Sequence, residues 1–252
     1  MGPLSPNTLI VPCYNESARL DVEALAAFAA RDDVRLIVVD DGSEDDTRAV
    51  LESLRARVPT HITVLAMPRN GGKGAAVRLG LQHALASGAA YVGYFDADLA
   101  TPLAEVLRLR DVMDARGVAV VLGSRVQRLG ADIVRRPLRH YAGRVFATAA
   151  ALSLGVAVYD TQCGAKLFRV NPTLRAALAA PFVSRWAFDV ELLGRLVHGL
   201  GNAPGLGVAQ CVEVPLEQWR DVAGSRLRPR AMATAVIDLA RIAWSLRHPH
   251  RP

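Results

Sequence analysis

"VGYFDADLATP" (92–102) decides how this chain is read. Val92 to Phe95 form a short apolar run, as expected of a strand buried on both faces. The run ends at once in two carboxylates, Asp96 and Asp98, with only Ala97 between them. Residues two apart on an extended chain project to the same side, so both acids aim into the space beyond the strand. Carboxylates that close repel unless positive charge lies between them. A divalent cation supplies it, because Mg2+ or Mn2+ takes a couple of carboxylates and completes its shell with substrate phosphates. The same residues also suit a plainer role, a loop whose aspartates cap a helix opening at Thr101, and both readings stand at this point.

Outward from this stretch, strand-like runs alternate with helical patterns. "TLIVP" (8–12) precedes a helical stretch from about Ser17 to Ala30, and "RLIVVD" (35–40) precedes Glu44–Arg57 with Ser43 as N-cap. "HITVLAM" (61–67) leads to a helix from about Gly74 to Ala86. "YVGYFD" (91–96) leads to Pro102–Ala115, with Thr101 as N-cap and Pro102 at the first helical position, and "VAVVLGS" (118–124) follows. This alternation predicts an α/β fold, a mostly parallel, doubly wound sheet with helices on both faces. Ligands bind such sheets at the carboxyl ends of the strands. The residues that carry chemistry gather there: Asn15 and Glu16, Asp40 and Asp41, Asn70 to Lys73, and Asp96 and Asp98.

Two other strand ends bear on function. In "VVDDGSEDDT" (38–47), Asp40 is suited to accept from a pyrimidine N–H or a ribose hydroxyl, while Asp, Gly and Ser also form a turn. "RNGGKGAAVRLG" (69–80) is a Gly-rich loop opening a helix, with Lys73 inside it. Its backbone N–H groups could face a phosphate, although the spacing is not that of a Walker loop.

The 252 residues, 51% of them hydrophobic, allow one large domain with a substantial core. No apolar stretch reaches the length of a membrane span; the longest, "YAGRVFATAAALSLGVAVY" (141–159), is broken by Arg144. The N-terminal residues show no basic n-region and no long apolar h-region, so no secretion signal is expected. Cys13, Cys163 and Cys211 fit neither a disulfide framework nor a zinc site and suit a reducing cytosol. The six histidines form no i, i+4 pair, and no Ser/His/Asp set is visible. The net charge of +6 is concentrated between 125 and 144, where Arg125, Arg128, Arg135, Arg136, Arg139 and Arg144 face only Asp132. Without interleaved aromatics or a nucleic-acid motif, nucleic acid is not the expected partner. An Ala-rich helix follows, then "DTQCGAKLFR" (160–169) and a helical "RWAFDVELLGRLVHGL" (185–200), in which Trp186, Phe188 and Leu192 read as core, with Trp186 also suited to stack on a sugar. Met232, Val236, Leu239, Ala243 and Leu246 then recur at helical spacing.

Taken together, "VPCYNE", "VVDDGSEDDT", "NGGKGAA" and "DADLATP" resemble the nucleotide-sugar half of inverting family-two glycosyltransferases of the GT-A fold. "GSR" (123–125), "RRPLR" (135–139), "DTQCGAKLF" (160–168), "RWAFDVELL" (185–193) and "GSRL" (224–227) look like the dolichyl-phosphate β-glucosyltransferases and, more loosely, the dolichyl-phosphate mannose synthases. The resemblance runs from about residue 8 to 247. It implies a single GT-A domain over 1–252, with a nucleotide-sugar half at about 8–125. An acceptor half at about 126–252 then ends in an amphipathic helix. Pro12, Tyr14, Glu16, Asp40, Asp41, Lys73 and Asp96 match nucleotide-sugar-contacting positions, and Asp96 and Asp98 match the metal motif for Mg2+ or Mn2+. Ser124, Arg125, Arg135 and Arg139 match the groups that receive an acceptor phosphate. Asp189 matches an acid that often serves as base, so Asp189 and Arg125 are the expected catalytic groups.

The resemblance thus implies transfer of a hexose, glucose by preference, from a UDP-sugar to a polyprenyl or dolichyl phosphate. Mannose synthases often place Gln two residues after the second Asp, where this chain has Ala100. The eukaryotic glucosyltransferases carry an N-terminal membrane anchor that is not read here. The expected location is therefore cytoplasmic, peripheral on the cytoplasmic face of an anionic membrane. Rival readings are transfer to a soluble hydroxyl acceptor, which would need Asp189 as base, and GDP-mannose-dependent transfer to polyprenyl phosphate. A sugar-1-phosphate nucleotidyltransferase would want a Gly-rich, basic loop straight after the first strand, which "VPCYNESARL" lacks. A non-catalytic nucleotide-binding protein would not need the acids at 96, 98 and 189.

Overall fold

The structure is a computed structural model that describes residues 6–134, 137–220 and 229–247, with the side chains of 137–142 and 229–236 left out of the description. The first half alternates as the sequence predicts: β1 (Asn7–Cys13), α1 (Val22–Ala29), β2 (Val34–Asp40), α2 (Thr47–Arg57), β3 (Ile62–Ala66), α3 (Lys73–Ala86), β4 (Tyr91–Tyr94), α4 (Leu103–Arg116) and β5 (Val120–Ser124). The second half holds β6 (Asp132–Val134), α5 (Pro137–Leu154), β7 (Lys166–Arg169), α6 (Pro172–Ala179) and α7 (Phe188–His198). It closes with a short hairpin of β8 (Gly199–Leu200) and β9 (Ala203–Pro204), then β10 (Cys211–Pro215), β11 (Gln218–Arg220) and α8 (Pro229–Arg247).

The main sheet has seven strands in the order β10-β5-β7-β4-β1-β2-β3. All its pairs are parallel except those of β7, which runs antiparallel between β4 and β5. Glycines on both neighbours make room for it: a Cβ at Gly93 would lie 2.4 Å from the carbonyl oxygen of Lys166, and one at Gly123 would lie 3.1 Å from that of Ala165. Side chains along β1 alternate between two core layers. Ile10 joins Tyr94, Phe168, Phe188, Leu192, Leu239 and Ile242 in one layer. Leu9 and Val11 join Leu25, Phe28, Leu51, Phe95 and Leu109 in the other.

Three helix starts differ from the sequence reading. The first helix begins at Val22, with the Asp21 carboxylate accepting from the Ala24 N–H at 2.9 Å. Ser43 does not cap α2, because its hydroxyl accepts from the Asn15 N–H at 3.1 Å and Asp46 stands at the cap. Pro102, not Thr101, stands at the cap of α4, and no side chain bonds the first turn there. The aspartates of "FDADLA" therefore do not cap that helix; Asp98 Oδ1 accepts from the Ala100 N–H at 3.1 Å, within the loop itself.

The C-terminal helix uses its apolar residues in two directions. Leu239 and Ile242 are buried, and Leu246 lies over Gly194 of α7. Ile237 and Trp244, seven residues apart and so on one stripe, are exposed, as are Val145 and Leu152 at the same spacing on the neighbouring α5. Met232 and Val236 have side chains outside the described residues. Among the described residues, no helix is long and apolar enough to cross a membrane.

Candidate active site

The strand tips at the carboxyl edge are joined by side chains reaching between loops. Beyond β1, Asn15 sits in the left-handed region at φ 53° and its Oδ1 accepts from the Glu44 N–H at 2.9 Å. Tyr14 is exposed and Pro12 half-buried. The Glu16 N–H donates to Thr47 Oγ1 at 2.8 Å, Arg19 holds its Oε1 at 2.7 Å, and its Oε2 is buried without a hydrogen-bond partner among the described residues. Burial pushes the Glu16 carboxyl up; Arg19 opposes this, and the charge of Asp98 adds to it.

At the tip of β2, Asp40 Oδ1 accepts from the Ser43 N–H at 3.0 Å. Asp41 is occupied on both oxygens: Oδ1 accepts from the Gly71 N–H at 2.7 Å, and Oδ2 from the Gly72 N–H at 2.9 Å and Asn70 Nδ2 at 3.1 Å. For Gly71 and Gly72 this corrects the expectation that the loop amides face a phosphate, because these two are turned onto the buried Asp41 carboxylate. The acid fastens the Gly-rich loop, and the loop delivers Lys73 at the start of α3. Arg185 crosses from the second half to cover it, its Nη2 donating to the Asn70 carbonyl at 3.2 Å.

Beyond the tip of β4, Phe95 and Ala97 are buried while Asp96 and Asp98 are partly exposed; the chain turns at Ala97–Asp98 and Leu99 is left-handed at φ 50°, so the two acids come near each other through a turn and not along an extended strand. Asp96 pairs with Lys73, each side chain 36% exposed. Burial works against the charge on Asp96, but Lys73 holds its carboxyl below the usual range. Burial and the neighbouring Asp96 push Asp98 up. Glu16, Asp96 and Asp98 bring one more negative charge than Lys73 and Arg19 balance. Hard oxygen donors with unbalanced charge and an unpartnered buried oxygen fit Mg2+ or Mn2+. Among the described residues no three His, Cys, Asp or Glu side chains close on one point.

At the tip of β5, Ser124 is buried and its hydroxyl has no hydrogen-bond partner among the described residues, as is also true of Thr161. Arg125 is clasped by Asp160, with Nε–Oδ2 at 2.7 Å, Nη2–Oδ1 at 2.8 Å and the backbone N–H to Oδ2 at 3.1 Å. Despite burial, this pairing brings the Asp160 carboxyl down to about 2. Glu213 supports it, accepting from the Tyr159 and Asp160 N–H groups at 2.7 and 2.6 Å. Arg135 lies outside the described residues, and of Arg139 only the place on α5 is described.

Asp189 stands in the first turn of α7, where the helix N-terminus favours negative charge. Its Oδ1 accepts from Lys166 Nζ at 2.6 Å and from the Tyr94 hydroxyl. Lys166 also donates to the Cys163 carbonyl at 2.5 Å. Cys163 is buried, and burial lifts its thiol to about 11, so it is no nucleophile. Phe188 and Leu192 are core as read, and Trp186 packs edge-on against Phe146 at 4.8 Å.

Asp160, Gly164 and Lys166 were not singled out from the sequence, although all lie in "DTQCGAKLF". A lysine set in an apolar run was the available signal for Lys166. For Gly164 the reason is steric: a Cβ there would lie 2.0 Å from Asp96 Oδ2.

Residues 8–174 match the family described as Glycosyl transferase family 2. The chain is 33% identical to a dolichyl-phosphate beta-glucosyltransferase of Trichomonas vaginalis, over 94% of this chain and 70% of that protein. It is 30% identical to the dolichyl-phosphate beta-glucosyltransferase of Dictyostelium discoideum, over 94% and 73%, and 28% identical to the polyprenol monophosphomannose synthase of Mycolicibacterium smegmatis, over 97% and 89%. Its fold is similar to that of glucosyl-3-phosphoglycerate synthase from Mycobacterium tuberculosis, solved with Mn2+, UDP and glucosyl-3-phosphoglycerate. The TM-score is 0.67 at 18% identity, over 98% of this chain and 81% of that one. A chain that carries the family's sequence through β1 to α6 and the GT-A sheet over almost its whole length belongs to glycosyl transferase family 2 and is a glycosyltransferase.

Proposed function

We propose that this glycosyltransferase moves a hexose, glucose, from UDP-glucose to a polyprenyl or dolichyl phosphate with inversion, as one GT-A domain. In this reading about 8–125 forms most of the donor site and about 126–252 most of the acceptor side, with Ser124 and Arg125 at the boundary and Asp189 facing the donor. The observation that carries it is the state of Asp189: its Oδ1 is held by the Lys166 ammonium and the Tyr94 phenol, which fixes the carboxylate beside the Lys73–Asp96 pair, on the donor's side of the site in this reading. A hydroxyl acceptor needs a base. A phosphate monoester does not, because its second pKa is about 6 and it is largely a dianion near neutral pH. The names of the glucosyltransferase relatives support the same acceptor and sugar.

In this reading Asp40, with Pro12, Tyr14 and Glu16, lines the nucleoside pocket, and Asp41 acts through the loop it fastens. Asp98 with Asp96 would hold Mg2+ or Mn2+, which supplies positive charge for the leaving diphosphate. Lys73 adds a fixed cation at the same edge. Arg125, oriented by Asp160, presents its outer face to the acceptor phosphate beside the Ser124 hydroxyl, and Arg135 and Arg139 extend the basic surface. These groups hold an anionic nucleophile in line, which supplies most of what such a reaction needs from the protein.

The acceptor's prenyl chain lies in a membrane, so the enzyme must reach that surface. The apolar stripes of Val145 and Leu152 on α5 and of Ile237 and Trp244 on α8, with exposed Arg128, Arg241 and Arg247, support peripheral contact with an anionic cytoplasmic leaflet. Each such arginine contributes about 1 kcal/mol near an anionic surface. The deciding experiment is a panel of UDP-glucose, other UDP-sugars and GDP-mannose against a short polyprenyl phosphate and against free sugars. Transfer from UDP-glucose to the lipid phosphate is expected. Preference for GDP-mannose, or equal transfer to free sugars without lipid, would overturn the reading.

A further inference from the structure

Lys166 is a buried lysine that the steps above leave without a direct task. Its side chain is 2% exposed and that of its partner Asp189 5%. It opens β7, whose antiparallel course puts its first residue at the carboxyl edge of β4, opposite Tyr94. The surroundings are apolar: the Tyr94 ring lies 6.2 Å from Phe168 and 5.8 Å from Phe188. A buried ion pair in such a setting is a poor source of stability, because apolar side chains of similar volume often serve as well or better. Both hydrogen bonds to the carboxylate fall on one atom, Oδ1.

The position of Asp189 says what the other oxygen can meet. The first turns of α3 and α7 touch: a Cβ at Gly74 would lie 2.8 Å from that of Phe188, and Lys73 Nζ stands 6.0 Å from the Phe188 ring. The charge on Asp189 is felt at Lys73, after that of Asp96. Asp189 therefore lies in the wall beside the Lys73–Asp96 pair, where a donor sugar would sit.

We infer that Lys166 is a positioning residue for sugar recognition: with Tyr94 it holds Oδ1 of Asp189, and so presents Oδ2 as a fixed anionic acceptor for one hydroxyl of the donor hexose. The inference rests on the chain's using a nucleotide-sugar donor, and it is independent of the acceptor. A fixed acceptor rewards a hydroxyl at one ring position, since a donor lacking it leaves a desolvated carboxylate oxygen unmatched.

The test is a cycle between protein and donor. UDP-glucose and its 2-, 3-, 4- and 6-deoxy analogues are measured by kcat/KM, and by calorimetric binding without acceptor. The proteins are the wild type, Lys166→Met, Lys166→Arg and Asp189→Asn. In the wild type the deoxy analogue at the recognised position should lose about 10- to 150-fold, the worth of one charge-assisted hydrogen bond. In Lys166→Met and Asp189→Asn that penalty should shrink to below about 3-fold while the penalties at other positions stay, and Lys166→Arg should restore most of it. Losses of the same factor for every donor would reduce Lys166 to a structural role and overturn the inference. An intact position-specific penalty in Asp189→Asn would do so too. If Lys166→Met melts too low to assay, Tyr94→Phe, which removes the other bond to Oδ1, takes its place under the same criteria. Coupling in donor binding without transfer to polyprenyl phosphate would sink the acceptor reading alone; transfer with purely additive losses would sink this inference alone.

Discussion

Replacing Gly164 by alanine should abolish most activity while leaving the fold intact. The added Cβ would lie 2.0 Å from Asp96 Oδ2, 2.3 Å from its Cγ and 2.8 Å from Oδ1, all well inside the 3.4 Å at which ordinary contact begins. The carboxylate must retreat by more than an ångström. It has somewhere to go, since the Asp96 side chain is 36% exposed. Retreat separates it from Lys73 and shifts it relative to Asp98. A misplacement of about 1 Å at a reacting group costs about 100-fold, so kcat/KM should fall by at least that factor. Gly164 is not among the glycines with positive φ, so alanine brings no backbone strain there. A stability loss of about 1 kcal/mol would move the melting temperature of a chain this size by about 2–4 °C. The assay is UDP release with saturating acceptor, run beside thermal melting. Near-wild-type kcat/KM would refute the placing of Asp96 in the chemistry. A drop of tens of degrees accompanying the loss would show that Gly164 serves packing instead.

Asp160→Asn should lose stability in a pH-dependent way. The native carboxyl sits at about 2 against 3.8 for the free group, a difference worth about 2 kcal/mol that is present above pH 4 and lost as pH falls through 2. In urea melts the gap between wild type and variant should close by about that amount from pH 6 downwards; a constant gap would refute the assignment. Asp98→Asn, or EDTA added to the wild type, should cut transfer at least about 100-fold, with Mg2+ or Mn2+ restoring only the wild type; full activity in chelator counts against the metal. The wild type should co-sediment with anionic vesicles at low salt, and less so at high salt or after Ile237→Glu with Trp244→Glu. Equal binding to neutral vesicles, or none at low salt, would favour a soluble acceptor.

Much of the fold was legible because its signals are local. Strands buried on both faces read as short apolar runs, and those of β1, β2, β4 and β5 stand out between helical patterns. Strand β7 did not stand out. "KLFR" holds two cations in four residues and shows no period, and it is a strand because β4 and β5 leave a slot between Gly93 and Gly123 that its backbone fills. The helix caps were misjudged where a nearer signal was drawn off by a distant partner, as Ser43 was by Asn15.

The candidate site divides along the same line. That acids and Lys73 crowd the strand ends follows from the point at which each apolar run stops, and the sequence by itself determined that much; how Asp96 and Asp98 approach each other depends on the turn that follows β4. Which charge meets which was decided by the tertiary structure. Asp41 turned to loop amides 30 and 31 residues away, Arg125 to an aspartate 35 residues on, and Asp189 to a tyrosine 95 residues back and a lysine on an unread strand. Pairing energies depend on separation and on how far water is excluded. Neither quantity exists along a chain until the sheet brings its strand ends together.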